Sequence, residues 1–134
     1  MQKFVLVLSV VLVFSCRSSR EVPSVQGNWT LTSLNAPGAD FKALYPSNAP
    51  TLKIELGDNR ATGKNGCNNY SGTLKIVGNQ IVFDKNMVTT RMFCPGDGER
   101  LYMGALQKAN AYTVTKDALN LLSSDTVLLT FARK

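Results

Sequence analysis

The sequence predicts an α+β fold in which a strongly curved antiparallel β-sheet, or a partly closed barrel, packs around one α-helix. Most of the chain after residue 26 consists of short segments that alternate apolar and polar residues, as half-buried strands do. Turn-forming Gly, Asn, Asp and Ser residues separate these segments, and such short connections imply antiparallel pairing. One late segment has helical spacing instead.

The first strand of the folded region is predicted over residues 29–34, where apolar and polar residues alternate. Residues 35–50 contain three prolines and are expected to form a long irregular loop. Phe41, Leu44 and Tyr45 are the apolar residues of this loop that we expect to attach it to the core.

Two hairpins are predicted in the middle of the chain. Residues 51–56 and 60–65 are expected to pair across a Gly-Asp-Asn turn. Residues 70–77 and 80–83 are expected to pair across the tight turn at Gly78-Asn79. The side chains predicted to face inward are Leu52, Ile54, Leu56, Leu74, Ile76, Ile81 and Phe83.

An amphipathic helix is predicted over residues 98–110, because apolar residues recur there at helical spacing. Asp97 is the expected N-cap, and Glu99 is expected to interact favourably with the helix dipole in the first turn. Three further strands follow, over residues 111–115, 118–122 and 127–131.

The N-terminus has the pattern of a secretory signal peptide, predicted over residues 1–15. A basic start precedes an apolar run from Phe4 to Phe14, after which the chain turns abruptly polar. A membrane-spanning helix needs about 20 apolar residues, roughly twice the length of this run. Residues 16–26 are rich in Ser, Pro and charge and are expected to form a flexible tether, with the folded domain at 27–134.

The residues around Cys16 predict attachment to a membrane. Val13-Phe14-Ser15-Cys16 resembles a bacterial lipobox, in which the cysteine is acylated and the signal is removed in front of it. Acyl chains on Cys16 would anchor the protein in the bacterial cell envelope, most simply in the outer membrane on its periplasmic or surface face. Ordinary cleavage nearby, with loss of Cys16, is the alternative.

The other two cysteines, Cys67 and Cys94, are predicted to form a disulfide. An exported protein lies in an oxidising compartment, where an even pair of cysteines is usually bonded. Closing this loop should stabilise the domain by roughly 3.5 kcal/mol. The chain contains no histidine, which argues against a zinc site and removes the usual base of a catalytic cysteine. No metal site, cofactor or catalytic residue is therefore predicted.

The chain has a net charge of +6, but its basic residues are scattered. No basic block is interleaved with aromatic residues, so nucleic acid is not an expected partner. The expected partners are the membrane, through the N-terminal lipid, and an envelope protein or the cell wall. The domain is expected to be monomeric.

Two segments carry the most distinctive motifs. Residues 63–72 form a Gly- and Asn-rich stretch around Cys67, in which glycine and asparagine permit a bend with positive φ. Residues 89–94 form a polar segment that ends at Cys94.

These motifs resemble the META, or HslJ-like, domain of bacterial envelope proteins. That family's pattern has a Trp-x-Leu strand, a Gly-Cys-Asn-x-Tyr element and a Thr-x-Met-x-Cys element, followed by a helix with an early Glu. The resemblance implies a bent sheet around a helix, an envelope location and an association with stress tolerance, but no reaction. The matching residues are Trp29, Gly66, Cys67, Asn68, Tyr70, Gly72, Thr90, Met92, Cys94 and Glu99.

Within this motif, we expect a core position for Trp29 and bends at Gly66 and Gly72. Asn68 is expected to satisfy backbone amides of the bend, although contact with a ligand is an alternative. The predicted function is that of a non-enzymatic interaction module that supports envelope integrity. A carrier of an apolar or amphipathic ligand inside the curved sheet is the alternative.

Overall fold

Nine strands and two helices make up the part of the chain that the structure, a computed structural model, describes: residues 21–134. The predicted signal peptide (1–15), the lipidation site Cys16 and residues 16–20 of the predicted tether lie outside the described residues. Within residues 21–134, no helix has the length and apolar character needed to cross a bilayer. The elements are β1 (Gly27–Leu34), α1 (Phe41–Leu44), β2 (Thr51–Glu55), β3 (Arg60–Lys64), β4 (Asn69–Val77), β5 (Gln80–Phe83), β6 (Val88–Thr89), α2 (Gly98–Lys108), β7 (Ala111–Val114), β8 (Ala118–Ser123) and β9 (Thr126–Arg133).

Eight of the strands close into an antiparallel barrel in the order β3-β2-β1-β9-β8-β7-β5-β4, with β4 pairing back to β3. The first half of β4 pairs with β3 and with the short extra strand β6, whereas its second half pairs with β5. Register shifts interrupt the β1–β9 and β8–β9 ladders, and such irregularities bend strands. The predicted curved antiparallel sheet is confirmed, but it is a closed barrel, and the molecule is mostly β rather than α+β.

The predicted alternation decides which side chains enter the barrel. In β2, Leu52 and Ile54 are buried, whereas Lys53 and Glu55 lie outside and form an ion pair of 2.8 Å. Leu56 was predicted to face inward, but that prediction was wrong. β2 ends at Glu55, so Leu56 lies in the turn that follows and is 37% exposed.

Arg133, in the last strand β9, binds the residues that precede β1. The Arg133 guanidinium donates to the carbonyl oxygens of Ser24 (2.8 Å) and Gln26 (3.1 Å) and lies 4.1 Å from the centroid of the Trp29 ring. The Trp29 indole in turn donates to the Val25 carbonyl at 2.8 Å. Residues 24–26, which the sequence assigns to the tether, therefore contact the domain.

Helix α2 packs into the core through Tyr102 and Leu106, which are both fully buried. The Tyr70 hydroxyl donates to the Thr51 carbonyl at 2.7 Å, and the Tyr102 hydroxyl lies 2.8 Å from the Tyr70 hydroxyl and 3.3 Å from the same carbonyl. The ring of Tyr102 also meets Phe131 of β9 edge to face. The helix begins where it was predicted to begin but ends at Lys108, two residues earlier.

Three local features differ from the expectations. Residues 35–50 were predicted to be irregular throughout, but they contain the short helix α1, which Asp40 caps by accepting from the Lys42 amide. The two-residue strand β6 was not predicted, because so short a segment has no periodicity. Asp97 precedes α2 but makes no capping hydrogen bond, since its carboxylate pairs with Arg100 at 3.2 Å.

Burial of three tyrosines predicts that the protein loses stability in alkaline solution. Burial raises the pKa of Tyr45 to about 12 and raises the pKa values of Tyr70 and Tyr102 further. An unfolded tyrosine releases its proton near pH 10, so above that pH the unfolded state binds fewer protons than the folded state. The free energy of unfolding should therefore fall as the pH rises from about 10 to 12.

Urea unfolding at a series of pH values tests this, and Tyr102→Phe is the matched variant. The variant should be less stable by about 1 kcal/mol near pH 8, because it loses the hydroxyl hydrogen bonds, but its stability should fall less steeply above pH 10. Equal slopes in the two proteins would contradict the prediction.

Candidate functional site

A surface cleft of about 180 Å³ lies where the β3–β4 bend, the segment before α2 and the loop after α1 meet. It brings together residues from three regions that are distant in the sequence, including both segments that carry the distinctive motifs. Its lining residues are Leu44, Tyr45, Pro46, Ser47, Asn48, Asn65, Gly66, Cys67, Cys94, Pro95, Gly96, Gly98 and Glu99.

A disulfide between Cys67 and Cys94 forms one side of the cleft, as the sequence predicted. Cys67 lies in the bend between β3 and β4, and Cys94 lies four residues before α2. Their Cα atoms are 6.2 Å apart. The bond therefore joins the barrel directly to the segment that leads into the helix.

Asn65 shapes the bend that presents Cys67. Its side chain is fully buried, and its Oδ1 accepts hydrogen bonds from the amides of Cys67 (3.3 Å) and Asn68 (2.8 Å). Its Nδ2 donates to Glu99 at 2.9 Å. Asn65 was not among the predicted site residues, although an asparagine that precedes a glycine in a turn commonly bonds to the following backbone in this way.

Asn68 joins the same bend to the segment before α2, and its side chain is only 2% exposed. Its Oδ1 accepts from the Met92 amide (2.7 Å) and the Thr90 hydroxyl (3.0 Å). Its Nδ2 donates to the Met92 carbonyl (3.1 Å) and to the Glu99 carboxylate (3.1 Å). Asn68 thus satisfies backbone groups, but those of residue 92, whereas Asn65 serves the bend itself.

Glu99, in the first turn of α2, accepts from the side-chain amides of both asparagines. Only an interaction of Glu99 with the helix dipole was predicted, and these contacts with the two asparagines were not. In the described part of the chain, no lysine or arginine forms an ion pair with Glu99, and no buried side-chain nitrogen or oxygen lacks a hydrogen bond.

Gly66 adopts a φ of +96°, which favours glycine, and its backbone lies against Tyr45. A Cβ at this position would approach Tyr45 Cδ1 to 2.9 Å. The Tyr45 hydroxyl donates to the Gly98 carbonyl at 2.7 Å, so the tyrosine connects the loop after α1 to the start of α2. The ring and the two glycine backbones therefore pack together at the cleft.

The remaining motif residues divide between the cleft and the core. Thr90 lies beside the cleft and accepts from the Asn69 amide at 3.0 Å. Tyr70 and Trp29 are core residues. Gly72 lies in β4, where a Cβ would approach Met87 Cγ to 2.6 Å, so its role is close packing.

Two apolar side chains project from the segment between Thr90 and Cys94. Met92 is 64% exposed and Phe93 is 94% exposed. The backbone on either side of Phe93 is nevertheless held, because Asn68 binds both polar backbone groups of Met92 and Cys94 is in the disulfide. We refer to Met92 and Phe93 as the apolar tip.

The chemistry available at the cleft is limited by these contacts. Within residues 21–134, no three His, Cys, Asp or Glu side chains gather to hold a metal ion. Its cysteines are bonded to each other. Two of its polar lining side chains, Asn65 and Glu99, are hydrogen-bonded to each other, and Glu99 also accepts from the neighbouring Asn68. The arrangement builds a fixed surface next to a small cleft.

Comparisons with known proteins give a family and a fold. The family model of the META domain matches residues 22–134. A solution structure of a protein from Burkholderia xenovorans is 22% identical, with a TM-score of 0.59 and coverage of 81% of this chain and 82% of that one.

Two further solved structures share this fold. Another solution NMR structure is 20% identical, with a TM-score of 0.58, and 81% of this chain and 89% of that one are covered. The crystal structure of a DUF4847 family protein from Bacteroides vulgatus is 15% identical, with a TM-score of 0.58 and coverage of 81% and 93%. A comparison with curated proteins finds no match.

Removal of the Asn68 side chain should loosen the site. Asn68→Ala is expected to lower the free energy of unfolding by about 1–3 kcal/mol, because several partly buried partners lose their hydrogen bonds. Hydrogen exchange at the Met92 amide should accelerate by more than the global loss of stability requires. Asn86→Ala, at an exposed position, is the control and should stay within about 0.5 kcal/mol of the unmodified protein. A stable Asn68→Ala protein with unchanged exchange at Met92 would contradict this role.

Proposed function

Because the chain belongs to the META domain family, we propose that it is a non-enzymatic binding module of the bacterial cell envelope, anchored by lipid on Cys16. Its partner is an envelope protein, and the complex supports envelope integrity under stress. The observation that carries this proposal is the apolar tip, in which exposed side chains stand on a constrained backbone.

The apolar tip has the character of a protein-binding element. Aromatic residues and methionine are enriched in protein interfaces, and a few such residues contribute most of the binding free energy. Fixing the backbone before binding lowers the entropy lost on association. Asn68 and the disulfide provide that constraint on the two sides of Phe93.

The position of the apolar tip relative to the N-terminus favours a protein partner over the anchoring bilayer. Gly27 begins β1 and pairs with Ile54, which pairs in turn with Ala61. The Cys67 bend follows the other end of this ladder, where Lys64 pairs with Asn69. The predicted tether therefore joins the barrel at the end opposite the Cys67 bend. The apolar tip is connected to that bend through Asn68 and the disulfide.

The polar groups of the site support binding rather than catalysis. A general acid, base or nucleophile must be free to approach the reacting group. Here Asn65, Asn68 and Glu99 hold two loops and a helix together, and both cysteines form the disulfide. These contacts suit a rigid binding surface.

The carrier alternative receives less support from the barrel. A ligand inside the sheet needs an open interior, but bulky side chains with at most 1% exposure occupy it. They include two aromatic residues from the strands, Trp29 and Phe131, together with Tyr102 from α2. Among residues 21–134, the aromatic residues below 2% exposure are Trp29, Phe83, Tyr102 and Phe131.

The lipid anchor predicts a specific covalent mass. The protein from its host should begin at Cys16, carry acyl chains there and incorporate labelled palmitate. Cys16→Ala should abolish the label, because no thiol remains to be acylated, whereas Ser19→Ala should retain it. Intact-mass spectrometry and membrane fractionation measure both. An unmodified chain that begins at another residue would contradict the proposal of an anchor.

The apolar tip predicts a site-specific contact. A photo-cross-linking phenylalanine analogue at position 93, introduced into the full chain in its host, should link to one envelope protein. The same analogue at Val82, an apolar residue 55% exposed on β5, is the control and should not give that product.

Phe93→Ser should abolish capture of that partner by the purified protein while changing the free energy of unfolding by less than about 0.5 kcal/mol. Equal capture by Phe93→Ser, or an identical product from position 82, would overturn the assignment of the tip.

A further inference from the structure

We propose that the cleft beside the disulfide binds a single primary ammonium group, with Glu99 as its counter-ion. This inference deepens the proposed function, on which it rests for a partner at the neighbouring apolar tip, because it gives the chemistry that the partner must present. The ammonium is carried on a short apolar stem, as in a lysine side chain or a small free amine.

The carboxylate of Glu99 gives the cleft a negative charge. Glu99 lines the cleft, is only partly exposed and accepts hydrogen bonds from two neutral amides, those of Asn65 and Asn68. No lysine or arginine within residues 21–134 pairs with it. The positive end of the helix dipole favours an ionised carboxylate in the first turn but supplies no full charge. A carboxylate in a partly buried site is stabilised by a cation that donates hydrogen bonds to it.

The volume of the cleft and the apolar side chains of its walls suit a small cation on an apolar stem. Its volume of about 180 Å³ is below the roughly 300–1,000 Å³ of sites that hold drug-sized ligands. Leu44, Tyr45, Pro46, Pro95 and the disulfide give it apolar walls around the one carboxylate. An alkylammonium matches this arrangement, because its methylene stem contacts apolar surface while its head pairs with the acid.

The hydrogen bonds already made by Glu99 select among cations. A guanidinium binds a carboxylate best through two parallel hydrogen bonds. Here Oε1 already accepts from Asn65 and Oε2 from Asn68, which leaves less room for that paired geometry. A divalent metal requires several oxygen ligands, whereas Glu99 is the only carboxylate among residues 21–134 that lines the cleft. An ammonium needs only one acceptor position.

The overall charge favours one ammonium over a polycation. The full sequence carries a net charge of +6, to which the predicted signal peptide contributes only Lys3, so the anchored protein stays basic and repels a strongly basic partner at a distance. A single ammonium on an otherwise neutral or acidic partner gains the contact with Glu99 without that repulsion. Phe93 directly precedes Cys94, a lining residue, so one polypeptide could contact the tip and place a lysine in the cleft.

Binding can be measured with n-butylammonium as the probe, by ¹H–¹⁵N spectra of the full chain in a mild detergent. The side-chain amide signals of Asn65 and Asn68 should shift and saturate with n-butylammonium but not with n-butanol, its uncharged analogue. Glu99→Gln should weaken binding about tenfold or more, because it removes the charge and retains a hydrogen-bond acceptor.

Asp97→Asn is the matched control, since it removes one carboxylate charge from the same helix end at an exposed position that does not line the cleft. Its affinity for n-butylammonium should stay within about twofold of that of the unmodified protein. Equal weakening by both variants, or equal shifts with n-butanol, overturns the proposal. The n-butanol comparison uses the unmodified chain and therefore does not depend on the folding of Glu99→Gln.

Carbodiimide treatment of intact envelopes separates the two sources of the ammonium, since it joins carboxylates to adjacent amines. An amide between Glu99 and a lysine of another polypeptide, mapped by mass spectrometry, identifies a partner side chain. A Glu99 adduct with the mass of a small amine identifies a free ligand. Unmodified Glu99 beside modified Asp125, an exposed carboxylate, overturns the inference.

The two proposals can fail separately. Saturable n-butylammonium binding without a cross-link from position 93 would retain the ammonium site and reject the protein-binding tip. A position-93 cross-link to a partner, without n-butylammonium binding, would retain the tip and reject the ammonium site.

Discussion

The side chain of Asn68 connects three segments that are far apart in the sequence, and the architecture of the candidate site depends on it. It lies at the start of β4, binds both polar groups of Met92 and reaches Glu99 on α2. Every one of its polar atoms is used in a nearly buried position, so a replacement must leave partners unsatisfied. The disulfide reinforces the same connection covalently, one residue away.

A second connection joins the helix to the barrel from the inside. The Thr51 carbonyl accepts from the Tyr70 hydroxyl, which is hydrogen-bonded to the Tyr102 hydroxyl, so one group of polar atoms links β2, β4 and α2. These polar atoms lie among apolar side chains, where an unpaired hydroxyl would be costly. Directional hydrogen bonds therefore fix the position of α2 in addition to the packing of its side chains, and α2 in turn positions Glu99.

Features that depend on hydrophobic periodicity or on the pairing of two cysteines could be predicted from the sequence. Alternation in residues 51–56 and 80–83 predicted which side chains enter the barrel, except for Leu56, and the presence of an even pair of cysteines predicted the disulfide. Closure of the sheet was not predictable in the same way, because the β3–β4 pairing that completes it depends on sheet twist and on the bending of β4.

Contacts made by single polar side chains were also beyond the sequence. Asp97 and Glu99 are two residues apart and both suit a helix N-terminus, yet Asp97 binds Arg100 and Glu99 binds two distant asparagines. Asn65 and Asn68 are the same type of residue. The fold alone determines that Asn65 binds the backbone of the bend and that Asn68 binds the backbone of residue 92. Such roles arise from long-range neighbours, which local pattern does not encode.

The hydrogen bonds from Arg133 to residues 24–26 affect how the domain would respond to mechanical force. Tension applied through the N-terminal segment acts first on the Arg133 contacts and on the bond from Trp29 to Val25. It is then transmitted to β1, which is hydrogen-bonded on both sides, to β2 and to β9. Because pulling along β1 shears both ladders at once, many hydrogen bonds share the load instead of opening one after another. A domain pulled from this end would resist unfolding through the combined strength of both ladders.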